Sequence, residues 1–570
     1  MTAAAPSPAA PPRGLHRRLA VLAFVVALAA AALDWNLDAV SSWQGFTAAT
    51  ARMGDYLAGF AAPDLSVGML RRCAELAAET LAIALLGVAL GLLLAYPLAL
   101  GSSRSLVLAD GAPSWQNVAR RLFLEACRLV LDVLRGVPDF LWAIVLASVT
   151  GSNAITCVLA IAVSQGGILG KVLSEQWDSV DPDRYAALRS TGASRLQVFL
   201  YGIQPLAARA TLSFVLMRTE CAVRNASVIG VVGGNGGLGS ALWDEYSDGN
   251  WARMATVLLS LLVLTSVTDL GANLLRRQLR SDPNHPRAQL RLDRTTSRRR
   301  RAVAGLAVAA ALVGSVALLW HPLGQALGEL QRLDTAFLGE FVGGLAVPEL
   351  SLDTLRAVAH HAIVPLSLAV LSTLAGGLGA ALLAFPGSVA FQLEAGRFTG
   401  EHLPAPVLAG RWLLLVVARA TALVLRGIPE VAWVVLLAVF FRQGITPCVL
   451  AVALHSTGVL HRVFAEAIDD LPYRTLERCG GPRRSELFLY GALPRVWPNW
   501  RTYAAFQFEV NLRIGIALGV VGAGGLGDRF KGNLEFRQWA VASTFLWAMV
   551  LLTVVTDRIT RRLQRGPRRC

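Results

Sequence analysis

FEVNLRIGIALGVVGAGGLG, residues 508–527, closes on Gly522-Ala523-Gly524-Gly525-Leu526-Gly527. That tail spells G-x-G-x-x-G, the phosphate-binding fingerprint of a doubly wound α/β domain. The fingerprint requires a strand before it, a helix after it and a surrounding βαβ unit. Here an apolar run of helical length precedes the glycines, headed by Glu509 and Arg513 at i,i+4 spacing. The first half of the chain has the same arrangement, VIGVVGGNGGLG at 228–239, behind Glu220 and Arg224. A pattern that recurs after two apolar runs reads as a turn at the end of a membrane helix, where small residues let backbones approach.

Composition agrees. The chain has 570 residues, 54% hydrophobic and 16% charged, where soluble domains carry about 25% charge. Mean hydropathy is +0.52, net charge +15 and pI about 10.3. The positive charge gathers at Arg13, Arg17 and Arg18, between Arg276 and Arg301, and between Arg558 and Arg569. Each cluster flanks an apolar segment, so the positive-inside rule puts all three, and both termini, in the cytoplasm. No aromatic-studded soluble domain accompanies the arginines, so nucleic acid is not expected as a partner. The seven cysteines form no C-x-x-C pair, and neither a disulfide framework nor a metal site is expected. The basic start and the apolar run at 19–33 also fit a signal peptide. An uncleaved first membrane helix is preferred because the topology then closes.

The chain is one module written twice. LRGVPDFLWAIVLA (134–147) answers LRGIPEVAWVVLLA (425–438), FLYGIQP (199–205) answers FLYGALP (488–494), and LTSVTD (264–269) answers LTVVTD (552–557), at offsets between 288 and 291 residues. Apolar segments lie near 19–33, 76–100, 122–149, 154–173, 206–232 and 252–275, and again near 302–320, 362–385, 411–441, 447–465, 500–521 and 539–557. The first of each set is short. The third carries Pro138 or Pro429 and is expected to be kinked or broken. The expected fold is an all-α polytopic membrane protein of two parallel modules, about six helices each: 1–275, a basic cytoplasmic linker 276–301, and 302–570.

A hydrophilic loop follows the fourth segment of each half, at 171–205 and 461–494. Asp181-Pro182 and Leu471-Pro472 start a short helix, and Gly192 and Gly480-Gly481 end it. The order of acidic residue, short helix, RSTGAS (189–194) and FLYG..P resembles the EAA loop of ABC-importer permeases. RGIPEVAW, ALHSTGVLHRVFAEAID, YGALP and FEVNLRIGIALGVVGAGGLG together resemble the permeases of phosphonate-type importers. The likeness covers roughly 70–275 and 360–560.

The resemblance implies two type I importer modules whose coupling loops dock on two copies of a separate ATPase subunit, with Glu175, Asp181, Gly192, Glu466, Gly480 and Gly481 in those loops. It implies a periplasmic or lipid-anchored binding protein, a small oxyanion substrate, a bacterial inner-membrane location and alternating access between the halves. A permease for a methionine- or betaine-like solute is the nearest alternative, and an ATP-independent secondary transporter a further one. The halves depart from each other. His455 of the family's LHS pattern is matched by Ser164, Asn511 by Ala222, and RSTGAS by RCGGPR (478–483).

No G-x-x-x-x-G-K-[ST] is present, so ATP with Mg²⁺ is expected on the partner and no cofactor on this chain. Glu220–Arg224 and Glu509–Arg513 read either as self-neutralised pairs within the fifth helix or as path-lining pairs whose arginines pass an anion. Asn511, His455, Gly236, Gly237, Gly524 and Gly525 complete the candidate path and gate. Arg135 and Arg426 are expected to hold a broken helix end, and Asp269 and Asp557 to pair with Arg276 and Arg558.

Overall fold

The computed structural model describes residues 14–35, 37, 41–108, 114–233, 236–279, 293–332, 335–393, 404–471 and 484–564. Among them all regular structure is helical. Counting helices of ten residues or more, the first half contains α1 (Gly14–Ala31), α2 (Trp43–Ala61), α3 (Val67–Ser102), α4 (Ser114–Gly136), α5 (Asp139–Thr150), α6 (Ala154–Asp178), α7 (Gln204–Gly233), α8 (Gly237–Ser247) and α9 (Trp251–Leu279). The second contains α10 (Asp293–Leu318), α11 (Trp320–Gln331), α12 (Thr335–Ala346), α13 (Leu352–Gly387), α14 (Ala405–Gly427), α15 (Glu430–Phe441), α16 (Ile445–Asp469), α17 (Leu493–Leu518), α18 (Leu526–Glu535) and α19 (Trp539–Gln564).

Among the described residues nine helices are long and apolar enough to cross a membrane, and α10 with α11 forms a tenth span bent by 56°. The two further crossings expected from the repeat fall on α1, whose apolar part covers Val21–Ala31, and on the α4–α5 pair. α4 falls short on composition because Arg120, Arg121, Glu125, Arg128, Asp132 and Arg135 interrupt it. The protein is therefore a multi-pass membrane protein whose halves run in parallel.

Sequence dictates where the long helices start and stop. Ser66 accepts from the Met69 amide at the head of α3, and Ser351 from the Thr354 amide at the head of α13. α4 and α14 both end two residues before a proline, and Asp139 or Glu430 opens the following piece, where a carboxylate suits the helix N-terminus. Asp178 at the end of α6 accepts from Ser103 Oγ at 2.7 Å and from the Arg104 and Ser105 amides at 3.0 Å, tying down the chain just beyond α3. Asp469 repeats this on Ser388 Oγ at 2.6 Å and on the Val389 and Ala390 amides. Asp469→Ala should lower stability by about 1–2 kcal/mol, read as an earlier thermal melt in detergent.

The halves are interlocked. α1 lies against α13 of the other half, and α10 lies against α3. α2 rests on α15, where Arg52 donates to Val439 O at 3.1 Å and Phe440 O at 3.3 Å and so caps its last carbonyls. α19 packs on α4 and α9 on α14. One apolar core unites Val137 and Phe140 with Met549 and Val550, and a second unites Leu258 and Leu261 with Val431 and Val435.

The short helices α2, α8, α12 and α18 were not anticipated, nor was the bend between α10 and α11. By alternation of the spans these four short helices lie on the face opposite the 171–205 loop. The linker expected at 276–301 falls in part outside the described residues.

Candidate functional site: the interface between the halves

The interface is organised by the two helix breaks. Pro138 offers no N–H to Leu134 O, and the Trp142 indole donates to that carbonyl instead, at 3.2 Å. Trp433 does the same for Leu425 O, at 3.2 Å. The next exposed carbonyl is met from the other half. Thr553 Oγ1 donates to Gly136 O at 3.2 Å, and Thr265 Oγ1 donates to Gly427 O at 3.1 Å.

Beside each break an arginine crosses to the opposite half. Arg135 reaches Asp557 at 2.9 Å and Glu509 at 3.5 Å, and also holds Asp132 of its own helix at 2.9 Å. Lys171 joins from α6, 2.6 Å from Asp132 and 4.0 Å from Asp557. At the twofold-related position Arg426 pairs with Asp269. This corrects the expectation that Asp269 and Asp557 pair with Arg276 and Arg558. Arg558 points away, exposed, and the Arg276 side chain lies outside the described residues. The last helix of each half packs on the other half's broken span, so its buried aspartate meets that span's arginine before any neighbour along the chain. The signal was present in the sequence: LRG[VI]P and LT.VTD each occur twice, with opposite charges.

The Glu–Arg pairs of the fifth spans form within their helices. Arg224 Nη2 lies 3.2 Å from Glu220 Oε1, and Arg513 pairs with Glu509. Glu509 is shared with Arg135 and so belongs to the interhalf network. Asn511 is fully buried within the second half. It accepts from Ser456 Oγ at 3.0 Å and Gln507 Nε2 at 2.9 Å, and donates to Thr373 Oγ1 at 2.9 Å. His455, also buried, lies below the second break, with Nδ1 3.2 Å from Ile428 O and Nε2 3.8 Å from Glu430. In the first half Asp139 takes the place of Glu430 and is bound by Ser164 and Asn225.

The glycine stretches are packed turns. Gly236 and Gly237 have φ +136° and +70°, and Gly524 and Gly525 +75° and +83°, values that suit glycine. Gly237 N donates to Glu79 at 3.1 Å and Leu238 N to Thr80 Oγ1 at 2.9 Å, fastening the first turn to α3. A Cβ at Gly525 would press on Val364 Cβ at 3.0 Å, so the second turn is seated equally closely on α13.

The loop after α6 folds as a compact elbow. Asp181 accepts from the Asp183 amide at 3.1 Å and opens a turn over Pro182–Tyr185, continued by a helix over Ala186–Ser190. Gly192, at φ +79°, ends it. Ser194 and Gln197 then form a reciprocal cap leading into a π-helical turn over Phe199–Ile203. The second half repeats the π turn over Leu487–Ala492. Tyr201 and Tyr490 project from these turns, both strongly exposed. Glu175 lies on the last turns of α6, and Glu466, on α16, pairs with Arg462 at 3.1 Å. Gly480 and Gly481 lie outside the described residues.

The family model described as "binding-protein-dependent transport system inner membrane component" matches residues 107–281 and again 402–569. The chain is 27% identical over 493 residues to the phosphate-import permease protein PhnE of Mycolicibacterium smegmatis, covering 86% of this chain and 84% of that one. It is 31% identical over 252 residues to the putative phosphite transport system permease protein HtxC of Stutzerimonas stutzeri, 44% of this chain and 84% of that one. It is 29% identical over 198 residues to the phosphite transport system permease protein PtxC of the same organism, 34% of this chain and 69% of that one. No solved structure matches. With two matches that together span more than half its length, the chain belongs to the binding-protein-dependent transport inner-membrane components and carries the family's membrane module twice.

Proposed function

We propose that this chain is the complete membrane path of an ATP-driven importer for phosphonate, phosphite or a related oxyanion, residues 1–275 and 302–570 forming its two walls. The observation that carries this is the pair of π turns, one per half, each leading from the loop after the fourth span into a fifth span that bears a buried Glu–Arg pair at the interface. Two copies of an ATPase subunit dock on those loops from the cytoplasm and bind ATP with Mg²⁺. A periplasmic or lipid-anchored binding protein delivers substrate at the face of the glycine turns. The membrane is the bacterial inner membrane, with both termini cytoplasmic. The names of the relatives support the oxyanion class.

Alternating access requires an interface with two stable arrangements biased by both partners. Breakable ion pairs between the halves suit that requirement, because each arrangement can satisfy the charges differently. Glu220, Arg224, Glu509 and Arg513 border the path, His455 and Asn511 hold its second wall in shape, and the glycine turns close its outer mouth.

The test is reconstitution with the ATPase and binding protein in vesicles. ATP-dependent accumulation of phosphite or a phosphonate is expected, and uptake driven by an ion gradient without any ATPase overturns the reading. Gly192→Val should cut uptake at least about tenfold, since a β-branched residue at positive φ costs over 1 kcal/mol locally and reshapes the docking elbow. Undiminished uptake and ATPase association would show that the elbow is not the coupling element.

A further inference from the structure

The cytoplasmic end of each second span is held by charged side chains from neighbouring segments, and one of them comes from the loop after the fourth span. α3 ends at Ser102, and a single helical turn, Arg104–Val107, follows it. Asp178, at the end of the fourth span, caps the start of that turn through Ser103 Oγ and the Arg104 and Ser105 amides. Arg128 of the third span donates to Ser102 O at 3.1 and 3.2 Å. Arg195 closes the far end, its Nη1 donating to Leu106 O and Val107 O, both at 3.1 Å.

The second half builds the same clamp. α13 ends at Gly387, and the turn Val389–Gln392 follows it. Asp469 caps its start, and Arg419 donates to Gly387 O at 3.0 Å. Arg484, the repeat's counterpart of Arg195, donates to Phe391 O and, at 2.8 Å, to Gln392 Oε1. The surrounding residues differ, RSLV against VAFQ and RSTGAS against RCGGPR. The arginine and its hold on the end of the turn recur all the same.

The place of these arginines gives the clamp a consequence beyond local stability. Each lies just ahead of the π turn that leads into the fifth span. The loop therefore has two routes into the membrane, a covalent one through the fifth span and a second, through the clamp, into the second span. α3 is one helix, rising about 33 Å from Ser102 back to Thr80. There Glu79 and Thr80 hold the Gly237 and Leu238 amides of the outer glycine turn. α13 likewise runs from its clamp to Val364 and Pro365, against which Gly525 is packed.

We infer that Arg195 and Arg484 are positioning residues for coupling: each passes the movement of an ATPase-docked loop to the second span of its half, and along it to the glycine turn at the outer mouth. This rests on the proposed function and adds to it the route by which a cytoplasmic movement reaches the outer gate. Arg195 is exposed, so its loss should change stability little and act on coupling.

The test uses the reconstituted complex with its ATPase and binding protein, and phosphite as the probe. Phosphite taken up per ATP hydrolysed is the readout, because a smaller amount of folded complex lowers both alike and leaves the ratio unchanged. Arg195→Gln and Arg484→Gln should each lower the ratio at least about fivefold, the lower end of the usual coupling between two sites. Arg195→Lys, which keeps a charged donor, should restore most of it. A measurement on the native complex accompanies these. Hydrogen exchange in the peptide containing Gly237 and Leu238, read by mass spectrometry, should change when the ATPase is trapped with ATP and vanadate. Arg195→Gln should abolish that change. A native ratio in either Gln variant overturns the route, as does native-complex exchange that is the same with and without trapping. A native complex that hydrolyses ATP but carries no phosphite, phosphonate or phosphate overturns the functional reading instead.

Discussion

Arg135→Ala is expected to destabilise the protein by about 3–5 kcal/mol, the cost of removing one partner from a buried ion pair, and to abolish uptake. Arg135 is about one-tenth exposed and serves Asp132, Asp557 and Glu509 together. Its removal leaves Asp557 with Lys171 at 4.0 Å in place of the 2.9 Å contact. The double variant Arg135→Met, Asp557→Leu should recover most of the stability, because no uncompensated charge remains. Asp132 keeps Lys171 and Glu509 keeps Arg513. The double variant should still fail to transport, since an apolar contact has no second arrangement to exchange into. Thermal melts in detergent and vesicle uptake measure the two effects separately. A double variant that transports normally would falsify a switching role for the pair and leave it purely structural.

The fold was legible because the sequence states it twice. Pro138 and Pro429 announced the broken third spans, and each break is found where its proline stands. The two glycine stretches were recognised as packed turns by their recurrence, although one alone imitates a nucleotide loop. The short helices were not legible. α8 and α18 have 11 and 10 residues with mixed polarity, too short to show a spanning pattern. The interhalf ion pairs were misassigned for a different reason. Spacing along a helix identifies i,i+4 partners, as it did for Glu220 with Arg224, but Asp557 and Arg135 are 422 residues apart and meet only through the packing of α19 on α4. Nothing in the sequence sets Gly167 and Gly458 apart from other small residues of a membrane helix, because the backbone each lies against belongs to another helix.

Gly458→Ala should lower stability by about 1–3 kcal/mol, the range for inserting a methyl group into a well-packed core, and Gly458→Val by more. A Cβ at Gly458 would lie 2.5 Å from Arg426 N and 2.7 Å from Ala422 O. Those atoms belong to the backbone of α14 and cannot rotate aside, so α16 would have to withdraw. Gly167 is related by the repeat, and its Cβ would meet Arg135 N at 2.5 Å and Leu134 Cβ at 2.8 Å. Both glycines therefore set how closely a fourth span approaches the end of a broken third span, and small residues at such crossings permit tight helix packing in lipid. The arginine displaced is in each case the one that reaches the opposite half. Melting and transport should accordingly fail together at these positions, unlike in the Arg135–Asp557 double variant. Gly377→Ala is the control, since a Cβ on this α13 residue would meet nothing within 4 Å. It should be neutral or stabilising by up to about 1 kcal/mol. A Gly458→Ala protein that melts with the Gly377→Ala control would show that the fourth span does not sit against the break, and the arginine's reach across the interface would then need another support.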